Sequence, residues 1–276
     1  MKVRKKKPAA TSSRGSSHSI ADRIQSVKDV PVYFKTLLYG RAGTGKTHFI
    51  GTAPKPVLVL DFREDGITTI RNTKDAFVLH MDNWDDFESI YWYLLEGDHP
   101  YKTVAIDTVT SLQDIAMKQV MGDRKSVSQR MWGEIAGLMK TWIMNYRDLP
   151  MHVIYTAQDR LSGGGSDDDD EDYVSDGMLL PEMGPYVIPS VAKILNACVG
   201  VIGNTFIREV SKKVKTNKGN EKTKTEVVYS MRIGPHARYA TKIRCDGPEE
   251  SQEPVVPRLL DNPSFDKVKN LALGGE

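Results

Sequence analysis

From Val32 onward the chain alternates short apolar runs with amphipathic stretches. VYFKTLLY (32–39) reads as a strand, and PVLVLD (56–61), AFVLH (76–80), TVAID (103–107) and MHVIYTA (151–157) follow at strand length. Their largely continuous apolar character marks parallel strands buried on both faces. Between them a short helix starts at Lys46 and must stop before Pro54, because proline cannot continue it. Trp84, Phe87, Tyr91 and Leu94 recur at helical spacing, which predicts a helix over 83–96. A further helix is expected over 111–120. Ile135, Leu138, Met139, Trp142, Ile143 and Tyr146 place another on one apolar face before the strand at 151. Five strands alternating with helices specify an α/β fold: a mainly parallel sheet, right-handed crossovers and one core rather than two.

Past Ala157 the rhythm changes. LSGGGSDDDDEDYVSDGM (161–178) has no basic residue, three consecutive glycines and six consecutive acidic residues, the composition of a mobile acidic loop. Residues 189–196 fit a short helix opening on Pro189 and Ser190. CVGVIGNTFIREV (198–210) and TEVVYSMRI (225–233) flank a basic tip and predict an antiparallel hairpin. YATKIRC (239–245) reads as a last strand, and the Pro-rich remainder as a loose tail with a short helix near 263–272. The expected organisation is a disordered basic arm (1–19), a core domain (20–246) and a C-terminal tail (247–276), with no internal repeat.

Composition sharpens this picture only in places. The net charge of +2 says little, but MKVRKKK at the start carries five basic groups ahead of a Pro/Ser-rich stretch. That arm lacks the apolar segment of a signal peptide, and no stretch approaches the roughly 20 apolar residues that span a bilayer. A cytoplasmic protein without a membrane partner is expected. Cys198 and Cys245 form no CxxC, and the six histidines show no ligand spacing, so neither zinc nor a disulfide framework is expected.

The chemistry concentrates after the first strand. Gly40-Arg41-Ala42-Gly43-Thr44-Gly45-Lys46-Thr47 matches G-x-x-x-x-G-K-[ST] in full. Glycines let backbone N–H groups turn towards phosphate oxygens, Lys46 neutralises the β/γ charge, Thr47 offers a hydroxyl to Mg²⁺, and the helix start adds its dipole. A second Mg²⁺ anchor is needed at the end of a neighbouring strand. Asp107, closing TVAID, supplies it, directly or through water; the alternative is a helix-capping aspartate. DFREDG (61–66) puts Asp61, Glu64 and Asp65 at the carboxyl edge of the sheet, and Glu64 is the expected base for a water nucleophile. Gln158, ending MHVIYTAQ, is placed to sense a γ-phosphate.

The P-loop, the acidic residue after the next strand, the AIDTVTSL strand and the strand ending in Gln158 together resemble the RecA-like ATPase core. The compact length and the RYATKIR strand are similar to phage nucleotide-binding proteins, including phage single-strand annealing ATPases. The resemblance spans roughly 32–244. It implies a RecA-like P-loop NTPase core with a mainly parallel β-sheet flanked by helices and a C-terminal β-hairpin extension, binding ATP and Mg²⁺. It also implies that Glu64 polarises water, that Gln158 relays the γ-phosphate, and that Lys242 and Arg244 act in trans on a neighbouring subunit's nucleotide. As alternating residues of one strand Lys242 and Arg244 share a face, which equally suits a solvated edge pair.

In that family the loops after the Asp107 and Gln158 strands bind single-stranded DNA. GDRKSVSQRMW (122–132) offers Arg124, Lys125, Arg130 and Trp132, cations beside a stacking ring, although a plain helix connection reads almost as well. The acidic 161–178 segment departs from the pattern because it repels phosphates. Residues 208–224 hold seven basic and two acidic residues and, with the basic arm, offer a salt-dependent phosphate surface. Residues 1–30 contain no aromatic anchor for filament assembly, so self-association into a ring or short oligomer, or the help of a single-strand binding protein, is expected instead. The reading is a DNA-dependent ATPase of phage homologous recombination or single-strand annealing, working in the host cell cytoplasm. The alternative is a nucleotide-controlled loader or mediator adaptor; a small-molecule kinase is weaker, since no Arg-rich lid is evident.

Overall fold

A computed structural model describes residues 24–162, 182–215, 221–245 and 256–274. The chain divides into Met1–Val32 and Tyr33–Glu276. The described part of the first unit holds one 3-10 turn, Val27–Asp29, started by the Ser26 hydroxyl accepting from the Lys28 N–H.

The second unit begins with β1 (Lys35–Tyr39), α1 (Lys46–Gly51), β2 (Val57–Asp61) and β3 (Ala76–His80). Then come α2 (Trp84–Glu96), β4 (Thr103–Asp107), α3 (Val109–Met121), α4 (Gln129–Asp148) and β5 (His152–Ala157). Each of α2, α3 and α4 opens on a side-chain cap, from Asn83, Thr108 and Ser128, which satisfies an otherwise unpaired N–H of the first turn. Past β5 lie β6 (Asp159–Ser162), β7 (Glu182–Pro185), α5 (Pro189–Cys198), β8 (Val201–Lys215) and β9 (Glu221–Arg232). β10 (Lys242–Ile243), β11 (Leu259–Asp261) and α6 (Phe265–Leu273) close the described chain.

Among the described residues the main sheet runs β11-β9-β8-β1-β5-β4-β2-β3, with β10 beside β8. From β8 to β3 every pairing is parallel, while β9, β10 and β11 join antiparallel. This is the α/β P-loop NTPase architecture with a C-terminal hairpin that the sequence pattern predicts. Alternate residues of each central strand enter opposite cores. Leu37, Leu60, Ile106 and Tyr155 pack with α2 to α5 on one face; Leu38, Val59, Ala105 and Ile154 pack with α1 and α6 on the other. No helix among the described residues is long and apolar enough to cross a membrane.

Several expectations change. The run AFVLH is a strand, but it is the sheet edge and not buried: Phe77, Val78 and Leu79 are 46%, 43% and 38% exposed. An apolar run reports strand propensity without saying whether a second layer covers it. The expected strand at 239–245 is regular only over Lys242–Ile243, with an isolated bridge at Tyr239. Leu161 and Ser162 belong to β6, which pairs antiparallel with β7; the rest of the 161–178 acidic segment, like the 1–19 arm, lies outside the described residues.

The largest correction concerns the C-terminus. Residues read as a loose tail form β11, which extends the sheet beyond β9, and the helix expected near 263–272 is α6, which is not loose but buries Phe265, Val268 and Ala272 in the core. Phe265 meets Phe34, Phe49 and His152 at ring-centroid distances of 5.9, 6.3 and 5.1 Å. Phe265→Ala is therefore expected to lower unfolding stability by about 3–5 kcal/mol, measured by urea denaturation of the full chain.

His152 stands in the same cluster and its Nδ1 accepts the Phe34 N–H at 3.0 Å, which requires the neutral ring. Burial, helped by the Lys35 and Lys269 charges, pushes its pKa down to about 4. The unfolded chain thus takes up this proton at higher pH than the folded chain. The stabilisation is complete above about pH 6.5 and is lost as pH falls towards 4. A melting-temperature series from pH 7.5 to about 4.5 should show this decline, and His152→Gln, which keeps an acceptor without the titration, should flatten it.

Candidate functional site

The site is built at the carboxyl edge of the parallel sheet. β1 leads into the glycine loop, and Gly45, at φ 91°, sits in the left-handed conformation that turns the loop into α1. The Lys46 ammonium is buried and donates to the Gly40 and Arg41 carbonyls at 2.7 and 2.9 Å. Burial lowers its pKa, against the raising influence of Asp107 and Glu64. Thr44 and Thr205 join hydroxyls at 2.7 Å, which ties the loop to β8.

Asp107 ends β4 and is only 4% exposed. Thr47 donates to its Oδ2 at 2.8 Å and Thr156 to its Oδ1 at 2.5 Å. Burial raises the Asp107 pKa, and the two hydroxyl bonds oppose that rise. Gly66 closes this corner: a Cβ there would lie 2.6 Å from the Thr47 hydroxyl, so only glycine lets the 3-10 turn Gly66–Ile70 approach. Thr47 and Asp107 are hard oxygen donors on adjacent elements, which fits Mg²⁺ held by few protein ligands and by phosphate. Among the described residues no group of three or more His, Cys, Asp or Glu side chains could hold a metal.

Glu64 follows β2. Its neighbours Arg63 and Asp65 both adopt positive φ, 65° and 54°. Such a backbone costs on the order of 1–3 kcal/mol per residue and persists where the surroundings enforce it. Arg63 is anchored by Asp82 at 2.6 Å. Thr108, which caps α3, donates to Glu64 Oε1 at 2.8 Å, and the Ser111 hydroxyl donates to the same oxygen. Glu64 is thereby fixed on the wall of a pocket of about 450 Å³ that also includes Gly43 to Thr47 and Asp107.

The structure thus brings together the loop Gly40 to Thr47, Asp107 and Glu64. Gln158 sits beyond the end of β5, exposed and off the pocket wall; its N–H donates to the Thr110 hydroxyl at 3.1 Å and its carbonyl accepts from Tyr186 at 2.7 Å. Lys242 is directed to the Asn196 carbonyl, and Arg244 is exposed with its backbone N–H on Gly200; neither lines the pocket. In the 122–132 stretch only residues up to Ser128 are a connection, because α4 starts at Gln129. Arg130 pairs with Glu134 one turn on, and Trp132 is 41% exposed on that helix. Sequence reading missed Thr156, Thr108, Ser111 and Gly66, whose roles depend on distant partners, and it missed Tyr229, Asn262, Pro263 and Ser264, which complete the pocket.

A glycine loop between strand and helix, a buried aspartate on the second strand over and a sheet that presents both at one edge define a P-loop NTPase. The chain belongs to the AAA domain family, whose model matches residues 33–245. No curated protein matches it.

Thr156 holds Asp107 from the side away from Thr47. Thr156→Val should raise the Mg²⁺ concentration needed for half-maximal nucleotide binding by about 10-fold or more, as loss of an outer partner does at metal sites. Nucleotide binding without Mg²⁺, measured in EDTA, should change much less.

Proposed function

We propose that this protein is a Mg²⁺-dependent ATPase that couples ATP turnover to single-stranded DNA, in phage homologous recombination or single-strand annealing. One observation carries the catalytic part: Glu64, held by Thr108 and Ser111, shares a pocket with Lys46, Thr47 and Asp107. Bound Mg²⁺ would offset charge on the phosphate oxygens. Thr47 and Asp107 would hold it, and the loop N–H groups and Lys46 would orient the triphosphate. The Glu64 carboxylate would align water and accept its proton. Gln158, just past the end of β5, would report the γ-phosphate to the segment that follows.

The DNA part rests on surface chemistry. Arg124 and Lys125 precede α4, Trp132 is exposed on its first turns, and basic residues gather along 208–224. Cations beside a free ring suit a flexible strand whose bases stack and whose phosphates release counterions. Lys242 and Arg244 would act on a neighbouring subunit within a ring or short oligomer, which requires Lys242 to leave the Asn196 carbonyl. A loader or mediator adaptor is the second reading, favoured by the exposed apolar edge of Phe77, Val78 and Leu79, a surface of the kind that proteins cover.

Steady-state ATP hydrolysis with and without single-stranded DNA separates the readings. DNA should stimulate the wild type, Lys46→Ala should reduce turnover to background, and Glu64→Gln should lower it about 10²–10⁴-fold. ATP binding without stimulation by DNA would overturn the recombination reading in favour of the adaptor.

A further inference from the structure

The pocket lining holds two chemically distinct groups of residues. Thr47, Asp107 and Glu64 are the hydroxyl and carboxylates of the proposed phosphate and Mg²⁺ corner. The rest of the wall includes Tyr229, Asn262, Pro263 and Ser264, from the hairpin and from the segment between β11 and α6. The Tyr229 ring lies over the glycine loop: a Cβ on Gly45 would be 3.4 Å from its Cδ1. Tyr229 is 44% exposed and lines the pocket.

This wall is held firmly. The Asn262 N–H donates to the Tyr229 carbonyl at 2.7 Å, which ties the turn to the β9 backbone. Beside them Asp261 accepts from Ser230 at 2.7 Å and from Arg208 at 2.5 Å. Asn262 takes the left-handed conformation, φ 45°, and its side-chain amide has no hydrogen-bond partner among the described residues. The Ser264 hydroxyl is already engaged as the cap of α6. A flat aromatic ring and an unengaged amide with both donor and acceptor atoms, lining the same pocket as the glycine loop, are the means by which a base is stacked and its edge read.

We propose that Tyr229 and the Asn262–Ser264 turn form the nucleoside subsite, with a purine base stacked on Tyr229 and its polar edge met by the Asn262 amide. This rests on the nucleotide-binding reading of the pocket. A purine is favoured over a pyrimidine because its two rings cover more of the tyrosine face. Tyr229 lies inside the family match ending at residue 245 and the Asn262–Ser264 turn beyond it, so the C-terminal segment then adds the reading of the base edge to a site made by the rest of the chain.

The test is calorimetric titration of the full chain with Mg²⁺ and three probes: ATP, UTP and inorganic tripolyphosphate. Tyr229→Ala should weaken ATP binding about 5- to 100-fold, leave tripolyphosphate unchanged and narrow the preference for ATP over UTP; Tyr229→Phe should restore all three. Asn262→Ala should narrow the ATP-over-UTP preference and spare tripolyphosphate. Unchanged ATP affinity in Tyr229→Ala, or an equal loss of ATP and tripolyphosphate, would overturn the subsite while leaving the phosphate site standing. A wild-type chain that binds neither ATP nor tripolyphosphate would overturn the subsite together with the nucleotide reading.

Discussion

The buried carboxylate of Asp107 is the constraint around which the rest is arranged. A charge at 4% exposure is costly unless donors surround it, and here the donors come from elsewhere in the chain: Thr47 at the start of α1 and Thr156 near the end of β5. Both reach it only if β4 and β5 hold their register, Ile106 beside Tyr155, and if the glycine loop delivers α1 to the same edge. Lys46 and Asp107, each shifted by burial towards its neutral form and each pulled back by the other, make a site that gains from a ligand carrying charge of both signs. Phosphate with a divalent cation is such a ligand.

Much of this was legible because its signals are local. β2 and β4 are strands buried on both faces, so an unbroken apolar run suffices to find them, and the glycine loop carries its chemistry in eight adjacent residues. Asp107 was found because a strand-ending aspartate gains meaning once a phosphate loop is present. The site residues that escaped notice act across long separations. Thr156 is 49 positions from Asp107, and Thr108 is 44 from Glu64. A lone threonine in a strand carries no mark of the carboxylate it will serve.

The same reasoning explains the misreading of the C-terminus. Phe265, Val268 and Ala272 are spaced for one helical face and the helix is expected, yet Pro-rich flanks and a short span give no sign that it packs into the core. Its partner surface is Phe34 and Phe49, more than 200 residues away along the chain, and only the closed sheet brings them together. β3 errs in the opposite direction, since its apolar run implied a covering layer that the described fold does not provide.

Fold and site meet again in that C-terminal segment. The Phe265 N–H donates to the Thr52 hydroxyl at 2.9 Å, and Thr52 is the residue that ends the phosphate-loop helix. Phe265 also rests on Phe49 inside that helix. α6 therefore fixes the C-terminal end of α1, while the turn just before α6 lines the pocket beside the loop at its other end. The helix that follows the glycine loop and part of the pocket wall are therefore anchored by one C-terminal segment.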